Sequence, residues 1–135
     1  MATMQVELVS PEKVVFSGEA TQVITRTVGG GEIAFLPGHA PFVGALTENH
    51  SRITLANGEQ LDVAVHGGFV QVGNNKVSIL SDIAELGEEI DRGRAMNAME
   101  RAEAVLRRAH DAEAVAALAR AHARLSASGG LTITR

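Results

Sequence analysis

The spacing of apolar residues changes once along the chain, near residue 85. Before that point, short apolar runs with strand-like alternation are separated by glycine, asparagine and proline; after it, apolar residues recur at intervals of three and four. The first pattern predicts strands, and the second predicts helices with one apolar side. We therefore expect a β domain over residues 1–85 and a helical domain over residues 86–135.

Nine segments of the first domain have the composition of strands, and two pairs of them flank strong turn signals. The turns are Asn57-Gly58 and Gly73-Asn74-Asn75, both typical of β-hairpins. The segments cover residues 6–8, 14–16, 23–24, 33–36, 42–46, 52–55, 61–65, 69–72 and 76–80. Because no helical segment separates successive strands, a parallel sheet is not expected. The pattern favours an antiparallel sandwich or a flattened barrel.

The second domain is predicted to be a hairpin of two helices with a narrow, mostly alanine seam. The seam residues are Ala95, Met99, Ala102, Leu106 and Ala109 in the first helix and Ala114, Leu118, Ala121 and Leu125 in the second. Asp91 and Asp111 are the expected N-caps, with His110-Asp111 as the turn. Gly129-Gly130 ends the second helix, before a β-like stretch at 131–134. An alanine seam buries little apolar area, so we expect weak docking.

Composition supports the boundary and limits the function classes. Of the 14 glycines, none lies between Arg94 and Ser128, where alanine dominates; alanine is the best helix former. The net charge of −4 argues against nucleic-acid binding. Because the chain has no cysteine, disulfides and thiolate metal sites are excluded, and a reducing compartment is expected. The first residues predict no signal or transit peptide, and no apolar stretch is long enough to span a membrane.

Candidate catalytic residues are few. For His39 and His66, which lie beside loops, we expect hydrogen bonds to loop backbone. The run Gly29-Gly30-Gly31 lacks the residues of a phosphate loop and predicts a turn, and Gly67-Gly68 predicts a bulge or a close backbone approach. The acids Glu85, Glu88, Glu89 and Asp91 are interpreted as a solvated cluster at a helix start rather than an acid–base pair.

Arginines of the helical domain are the more informative charges. Arg94, Arg101 and Arg108 recur every seven residues and predict one stripe on the first helix. Arg120 and Arg124 share a face of the second helix. Planar guanidinium groups suit carboxylate or phosphate recognition, although paired acids on a solvated face would give the same spacing. Both interpretations stay open at this point.

An ordered series of short motifs resembles the epsilon subunit of bacterial F-type ATP synthases. The motifs are Phe16-Ser17-Gly18-Glu19, Gly31-Glu32-Ile33, Leu36-Pro37-Gly38-His39-Ala40-Pro41, Val65-His66-Gly67-Gly68-Phe69, Ile79-Leu80-Ser81-Asp82 and Ile90-Asp91-Arg92-Gly93-Arg94-Ala95. The resemblance covers residues 5 to about 108 well. One departure is Ala34, which stands where the family usually has glycine.

This resemblance implies a β-sandwich of about ten strands followed by an antiparallel two-helix hairpin, in a regulatory subunit that is not itself an enzyme. Such a subunit belongs to the rotating central stalk, contacts the gamma subunit and the c-subunit ring, and couples proton flow to ATP synthesis. Its hairpin can extend toward the alpha and beta catalytic subunits and inhibit ATP hydrolysis. The implied location is peripheral, on the cytoplasmic face of the bacterial cell membrane.

The resemblance also implies site residues. The family's nucleotide motif, Ile/Leu-Asp-x-x-Arg-Ala, matches residues 90–95, so ATP, with or without Mg²⁺, is the implied regulatory ligand; no cofactor is required and no metal site is expected. The implied ATP contacts are Glu85, Ile90, Asp91, Arg94, Ala95, Arg101, Arg120 and Arg124. Glu32 and His39 are the implied contacts with the gamma subunit or the c ring.

Two other function classes remain open from the sequence. One is a free-standing sandwich that binds a partner and dimerises through its hairpin. The other is a jelly-roll metal enzyme, to which only His39 and His66 could contribute neighbouring ligands.

Overall fold

The computed structural model describes residues 2–129, which form a β domain followed by two helices. The strands are β1 Met4–Val9, β2 Val14–Thr27, β3 Gly31–Phe35, β4 Phe42–Ala45, β5 Glu48–Leu55, β6 Gln60–His66, β7 Phe69–Gly73, β8 Lys76–Leu80 and β9 Ala84–Leu86. A 3₁₀ turn, Gly87–Glu89, leads to helix α1, Arg92–Leu106, and then to helix α2, Ala112–Ala127. The predicted fold class is confirmed, with nine strands in the described part of the chain.

Strand β2 is longer than the sequence pattern indicated, because it serves two groups of strands. Its first half pairs with β1, and its second half pairs with β3 on one side and β5 on the other. The register shifts between Ala20 and Gln22, where the strand passes from one group to the other. The predicted segments 14–16 and 23–24 are therefore one strand. Strand β9, which the pattern did not predict, pairs with β6.

The strands are ordered β4-β7-β8-β1-β2-β5-β6-β9, with β3 attached to β2. All pairs are antiparallel except β1 and β8, which run parallel from Gln5 opposite Lys76 to Val9 opposite Leu80. The antiparallel sandwich predicted from the sequence thus contains one parallel pair. The first strand finds β8 far along the chain, so intervening strands rather than a crossover helix provide the connection that parallel pairing requires.

Both predicted hairpin turns join the strands as expected. Asn74 and Asn75 have positive φ values of 52° and 59°, the conformation of a two-residue turn that matches strand twist. The Asn75 side chain donates to the Thr3 carbonyl and accepts from the Gly38 amide. The turn thus fixes two neighbouring loops as well as its own hairpin.

The sandwich core is built from the inward-facing positions of the strands. Its fully buried side chains include Val6, Leu8, Val23, Phe35, Ile53, Val63, Val65, Val70, Val77 and Ile79. Gly68 makes the predicted close backbone approach, since a Cβ there would lie 3.0 Å from the Leu80 carbonyl carbon. The glycines at 29 and 30 form a turn before β3, also as predicted.

The hairpin is confirmed, but its first helix is shorter than the sequence suggested. Asp91 and Asp111 cap α1 and α2, accepting from the amides of Arg94 and Ala114. Helix α1 ends at Leu106, so the prediction that Ala109 lies in the seam was wrong, as was the stripe that included Arg108. Residues 107–111 are needed to turn the chain back. Gly130 and the stretch 131–134 lie outside the described residues.

The two helices are stacked on the sandwich in order. Helix α2 packs on β5 and β6, and α1 packs mainly on α2. The inner side of α2 contributes Ala123 and Ala127, which meet Ala64 of β6 and the half-buried Ile90. The apolar contact with the sheet therefore consists of small side chains, which leaves polar groups to supply much of the attachment.

Candidate nucleotide site at the domain joint

A cavity of about 390 Å³ opens where the sandwich, the linker and both helices meet. Its volume lies in the range of small-molecule sites. Its walls are Glu85, Glu89, Ile90, Asp91, Arg94, Ala95, Ala98, Arg101 and Arg124. Seven of the eight residues implied for ATP binding thus surround one space. The eighth, Arg120, does not line it.

Two of the arginines of helix α1, Arg94 and Arg101, line the cavity because their spacing places them on one side of the helix. Asp91 accepts a hydrogen bond from the Arg94 amide at 3.0 Å and thereby begins the helix. Arg94 lies in the first turn, and Arg101 follows two turns later on the same side. The guanidinium groups of both residues form no ion pair with any residue in the range 2–129. They are exposed cations directed along one wall of the cavity.

Helix α2 contributes the third arginine, which is already engaged with the sandwich. Nε of Arg124 donates to Oε1 of Glu85 at 2.7 Å. Arg120, one turn earlier, pairs instead with the exposed Glu113 at 2.8 Å. It lines an adjoining groove between the helices, which also receives Arg101 and Arg124. The groove and the cavity therefore share two of their arginines.

The pKa of Glu85 is strongly perturbed by its neighbours. A hydrogen bond from His66 is the largest cause, and the hydrogen bond and charge of Arg124 act in the same direction. Partial burial opposes them, but the pKa is still lowered to about 2. Glu85 is therefore ionised throughout the neutral range, and its carboxylate is engaged by His66 and by the Arg124 cation rather than left facing the cavity.

His66 was expected to be satisfied by loop backbone, and this prediction was wrong. Its Nδ1 lies 2.6 Å from Oε2 of Glu48, and its Nε2 lies 2.8 Å from Oε1 of Glu85. The partners come from β5 and β9, which flank β6 on its two sides. The register of three strands creates this cluster, so no local motif in the sequence could reveal it.

A second polar cluster, also missed in the sequence, ties α2 to the sheet. Nδ1 of His50 lies 2.6 Å from the Ser126 hydroxyl of α2, and its Nε2 lies 2.7 Å from Oδ1 of Asp62. The same Asp62 oxygen accepts from Nε of Arg52 at 2.9 Å. Together with the Arg124–Glu85 pair, this cluster holds the C-terminal half of α2 against β5 and β6.

The two residues implied as partner contacts lie away from the cavity at the domain joint. Glu32 is exposed on β3, beside a cleft of about 360 Å³ that also receives His122 of α2. Nδ1 of His39 lies 2.7 Å from the Ala40 carbonyl, and its ring meets Phe35 edge-on. The prediction of a backbone-satisfied histidine is confirmed for His39.

An exposed apolar surface on the outer side of β4, β7 and β8 was not predicted. Val43, Phe69 and Leu80 are 70%, 57% and 47% exposed. Phe69 of β7 lies opposite Ala45 of β4 on one side and opposite Leu80 of β8 on the other, which makes the patch continuous across three strands. Exposed patches of this kind mark interaction sites. We call these residues, with Ala45, the outer apolar patch.

Neither a metal cluster nor a spanning helix occurs in the described part of the chain. Residues 2–129 contain no group of three or more histidines and acids arranged to hold a metal ion. Within the same residues, neither helix has the length and apolar character needed to cross a membrane. The arrangement that a jelly-roll metal enzyme would need is not found there.

Comparison with known families gives two matches that together run through nearly the whole described chain. Residues 3–87 match the beta-sandwich domain of the ATP synthase delta/epsilon chain. Residues 88–129 match the long alpha-helix domain of the same chain.

Individual relatives agree with these matches. The ATP synthase epsilon chain of Streptomyces avermitilis is 47% identical over 103 residues, covering 76% of this chain and 82% of the relative. That of Streptomyces griseus is 44% identical over 126 residues, covering 93% and 95%. A chain in the mitochondrial ATP synthase of Euglena gracilis has the same fold, with a TM-score of 0.82 at 24% identity over 95% of this chain and 82% of that one.

Proposed function

The chain belongs to the ATP synthase delta/epsilon family, and on that premise we propose that it is a mobile regulator within the complex. Its relatives are epsilon chains, which are stalk subunits rather than catalytic ones. In this proposal the sandwich couples rotation of the c ring, driven by proton flow, to ATP synthesis. The hairpin inhibits ATP hydrolysis when it leaves the sandwich and extends toward the alpha and beta subunits.

The observation that carries the regulatory part is the composition of the cavity. Glu85 comes from the sandwich, Arg94 and Arg101 from α1, and Arg124 from α2. The cavity exists only while the hairpin is docked, because undocking separates these walls. A ligand bound there would stabilise the docked state by its differential affinity for the two states.

The charges of the cavity favour a polyphosphate as this ligand. Three arginines converge from two helices, and Arg94 and Arg101 have no carboxylate partner among residues 2–129. Guanidinium groups bind phosphate oxygens through paired hydrogen bonds. We therefore propose that ATP holds the hairpin down and that its loss permits the extended, inhibitory state.

The outer apolar patch supports the proposed contact with the gamma subunit. Its side chains lie on the side of the sandwich formed by β4, β7 and β8, whereas α2 covers β5 and β6. A partner on the patch would leave the hairpin free to move. Glu32 and His39 remain the proposed contacts with gamma or the c ring. Through these partners, the chain would be held peripherally at the cytoplasmic face of the cell membrane.

The sharpest test is a titration of the isolated chain with ATP, with and without Mg²⁺. Arg94→Ala removes a cation from the cavity, while Arg92→Ala removes an exposed cation of the same helix turn that does not line it. We expect wild type and Arg92→Ala to bind below millimolar concentration, and Arg94→Ala to bind about tenfold or more weakly. Affinity no tighter than millimolar, unchanged in Arg94→Ala, would overturn the nucleotide proposal.

Inhibition is tested separately in the assembled complex. Truncation after Gly87 removes both helices and keeps every strand of the sandwich. We expect ATP hydrolysis by the complex to rise while its assembly is retained. If hydrolysis does not rise, the inhibitory role is wrong and the coupling role is unaffected.

A further inference from the structure

His66 lies where three strands meet, and its ring is held between two carboxyl groups. The residue ends β6, with Glu48 directly opposite on β5 and Glu85 on the neighbouring β9. The side chain is only 3% exposed. Its two ring nitrogens lie 2.6 Å and 2.8 Å from the oxygens of Glu48 and Glu85. These carboxyl groups, rather than water, are its polar surroundings.

Both ring nitrogens must carry protons in this arrangement. An ionised carboxylate only accepts hydrogen bonds, and neutral imidazole has a single N–H to donate. The geometry is therefore that of an imidazolium that donates to a carboxylate on each side, and such charge-assisted bonds are stronger than neutral ones.

One oxygen of Glu85 links this hydrogen-bonded cluster to the helical hairpin. Oε1 accepts from Nε2 of His66 and also from Nε of Arg124, at 2.8 Å and 2.7 Å. The charges alternate from the sheet to helix α2 in the order Glu48, His66, Glu85, Arg124. A neutral His66 would break the series, because one carboxylate would lose its donor and face a ring nitrogen lone pair.

We propose that His66 is a positioning residue for the nucleotide cavity, an inference that rests on the nucleotide-binding proposal above. By fixing the Glu85 carboxylate, it sets the place of Arg124 and ties α2 to the sandwich. The docked arrangement uses both ring N–H groups of His66, one on each carboxylate. The charged groups that face the ring in this chain of contacts are Glu48, Glu85 and, through Glu85, Arg124.

The protonation of the ring is measured directly in the full-length wild-type chain. Nitrogen-15 spectra of the histidine rings distinguish imidazolium from either neutral tautomer. We expect both nitrogens of His66 to bear protons in the docked chain, as donation to two carboxylates requires. A neutral ring at pH 7 would overturn the proposal, and this measurement requires no variant to fold.

Docking is measured as a distance. The chain has no cysteine, so labels can be placed uniquely at Ala56→Cys in the sandwich and Ala109→Cys in the interhelical turn, both exposed. In His66→Gln, whose single amide nitrogen can donate to only one of the two carboxylates, the docked-to-undocked ratio should drop on the order of tenfold. The exposed His122→Gln is the matched control and should behave as wild type.

Glu48→Gln separates the charge of the ring from its packing. The Gln side chain can donate to one ring nitrogen, so a neutral imidazole can still donate to Glu85 through the other. We expect this variant to stay docked, with one protonated nitrogen on the His66 ring in the nitrogen-15 spectra. If it undocks as far as His66→Gln, or if His66→Gln docks as well as wild type, His66 has no positioning role.

The same variants titrated with ATP link docking to the ligand. If the cavity binds ATP, affinity in His66→Gln should fall by about the factor by which docking falls. If wild type binds no ATP at any pH, the nucleotide proposal fails, while the ring spectra and the label distance still decide the role of His66. Tight ATP binding that is unchanged in His66→Gln would leave the nucleotide proposal standing and overturn the positioning role.

Discussion

Arg124 of the last helix donates to Glu85 of the last strand across 2.7 Å, and this pair closes the joint between the two domains. The contact is made by residues 39 positions apart. It also forms part of the wall of the candidate nucleotide cavity. Attachment of the hairpin and construction of the cavity therefore depend on the same two side chains.

Acid should release the hairpin through Glu85. The folded pKa of about 2 lies below the ordinary value of 4.5, so the stabilisation of the folded state by Glu85 is present above pH 4.5 and is lost as pH falls toward 2. His66 lies in the sandwich with Glu85, so the part of this stabilisation that acts on docking is the part due to Arg124 of α2. We expect the docked fraction, followed with the label pair at residues 56 and 109, to fall across that window. In Glu85→Gln the fall should be absent. An equal acid response in that variant would contradict the role assigned to Glu85.

The absence of a side chain at Gly87 should be required for docking of the hairpin but not for folding of the sandwich. A Cβ at this position would lie 2.9 Å from the carbonyl carbon of Ala127 and 3.3 Å from the Asp62 carbonyl oxygen, although the backbone itself is not in the left-handed region. Gly87→Ala should therefore be tolerated when the hairpin is undocked and cost about 1–3 kcal/mol when it is docked. Label distance measures docking, and thermal unfolding of the sandwich should be unchanged.

Gly93→Ala is the matched control for that substitution. A Cβ at residue 93 meets only Oδ1 of Asp91, at 3.5 Å, so it should strengthen α1 by up to about 1 kcal/mol and leave docking intact. If both alanine variants undock the hairpin equally, the contact at Gly87 is not the cause.

Asp91 should act mainly as a helix cap. Because its carboxylate already accepts from the Arg94 amide, Asp91→Ala should cost about 1 kcal/mol of helix stability and displace the first turn. Asp91→Ser keeps a capping oxygen and removes the charge. We expect Asp91→Ser to preserve helix content by circular dichroism and to keep ATP affinity within about threefold. A large loss of affinity in Asp91→Ser, with the helix intact, would assign the carboxylate to the ligand instead.

Phe69→Glu should block assembly without unfolding the chain. Phe69 is 57% exposed at the centre of the outer apolar patch, so the change costs little in the isolated subunit, while burying an unpaired charge in an interface is costly. We expect binding to purified gamma subunit to weaken about tenfold or more. Val115→Glu, at an exposed position of α2, is the control and should assemble normally. Equal assembly of both variants would exclude the patch as the gamma contact.

Local signals predicted the features that depend on neighbouring residues. Asp91 and Asp111 cap helices because a short carboxylate side chain before an alanine-rich run can accept from an amide of the first helical turn. Asn74-Asn75 adopts the turn that its residue types favour. The convergence of residues 85–101 on one cavity came from the resemblance to a family, since spacing alone left two interpretations of the arginines open.

Features that depend on strand register could not be predicted in this way. Glu48 meets His66 only because β5 and β6 pair in one register, and Glu85 joins them through the short strand β9. The early end of α1 at Leu106 depends on how α2 returns to the sheet, which is a tertiary requirement. The outer apolar patch is likewise visible only once β4, β7 and β8 are side by side.

The parallel pairing of β1 with β8 bears on how the chain is made. It joins Gln5 to Lys76, so β1 can pair with β8 only after about 70 further residues have been synthesised. We therefore expect the sandwich to close only after β8 has been synthesised. Neither helix takes part in the strand pairing, so the sheet is complete without the hairpin.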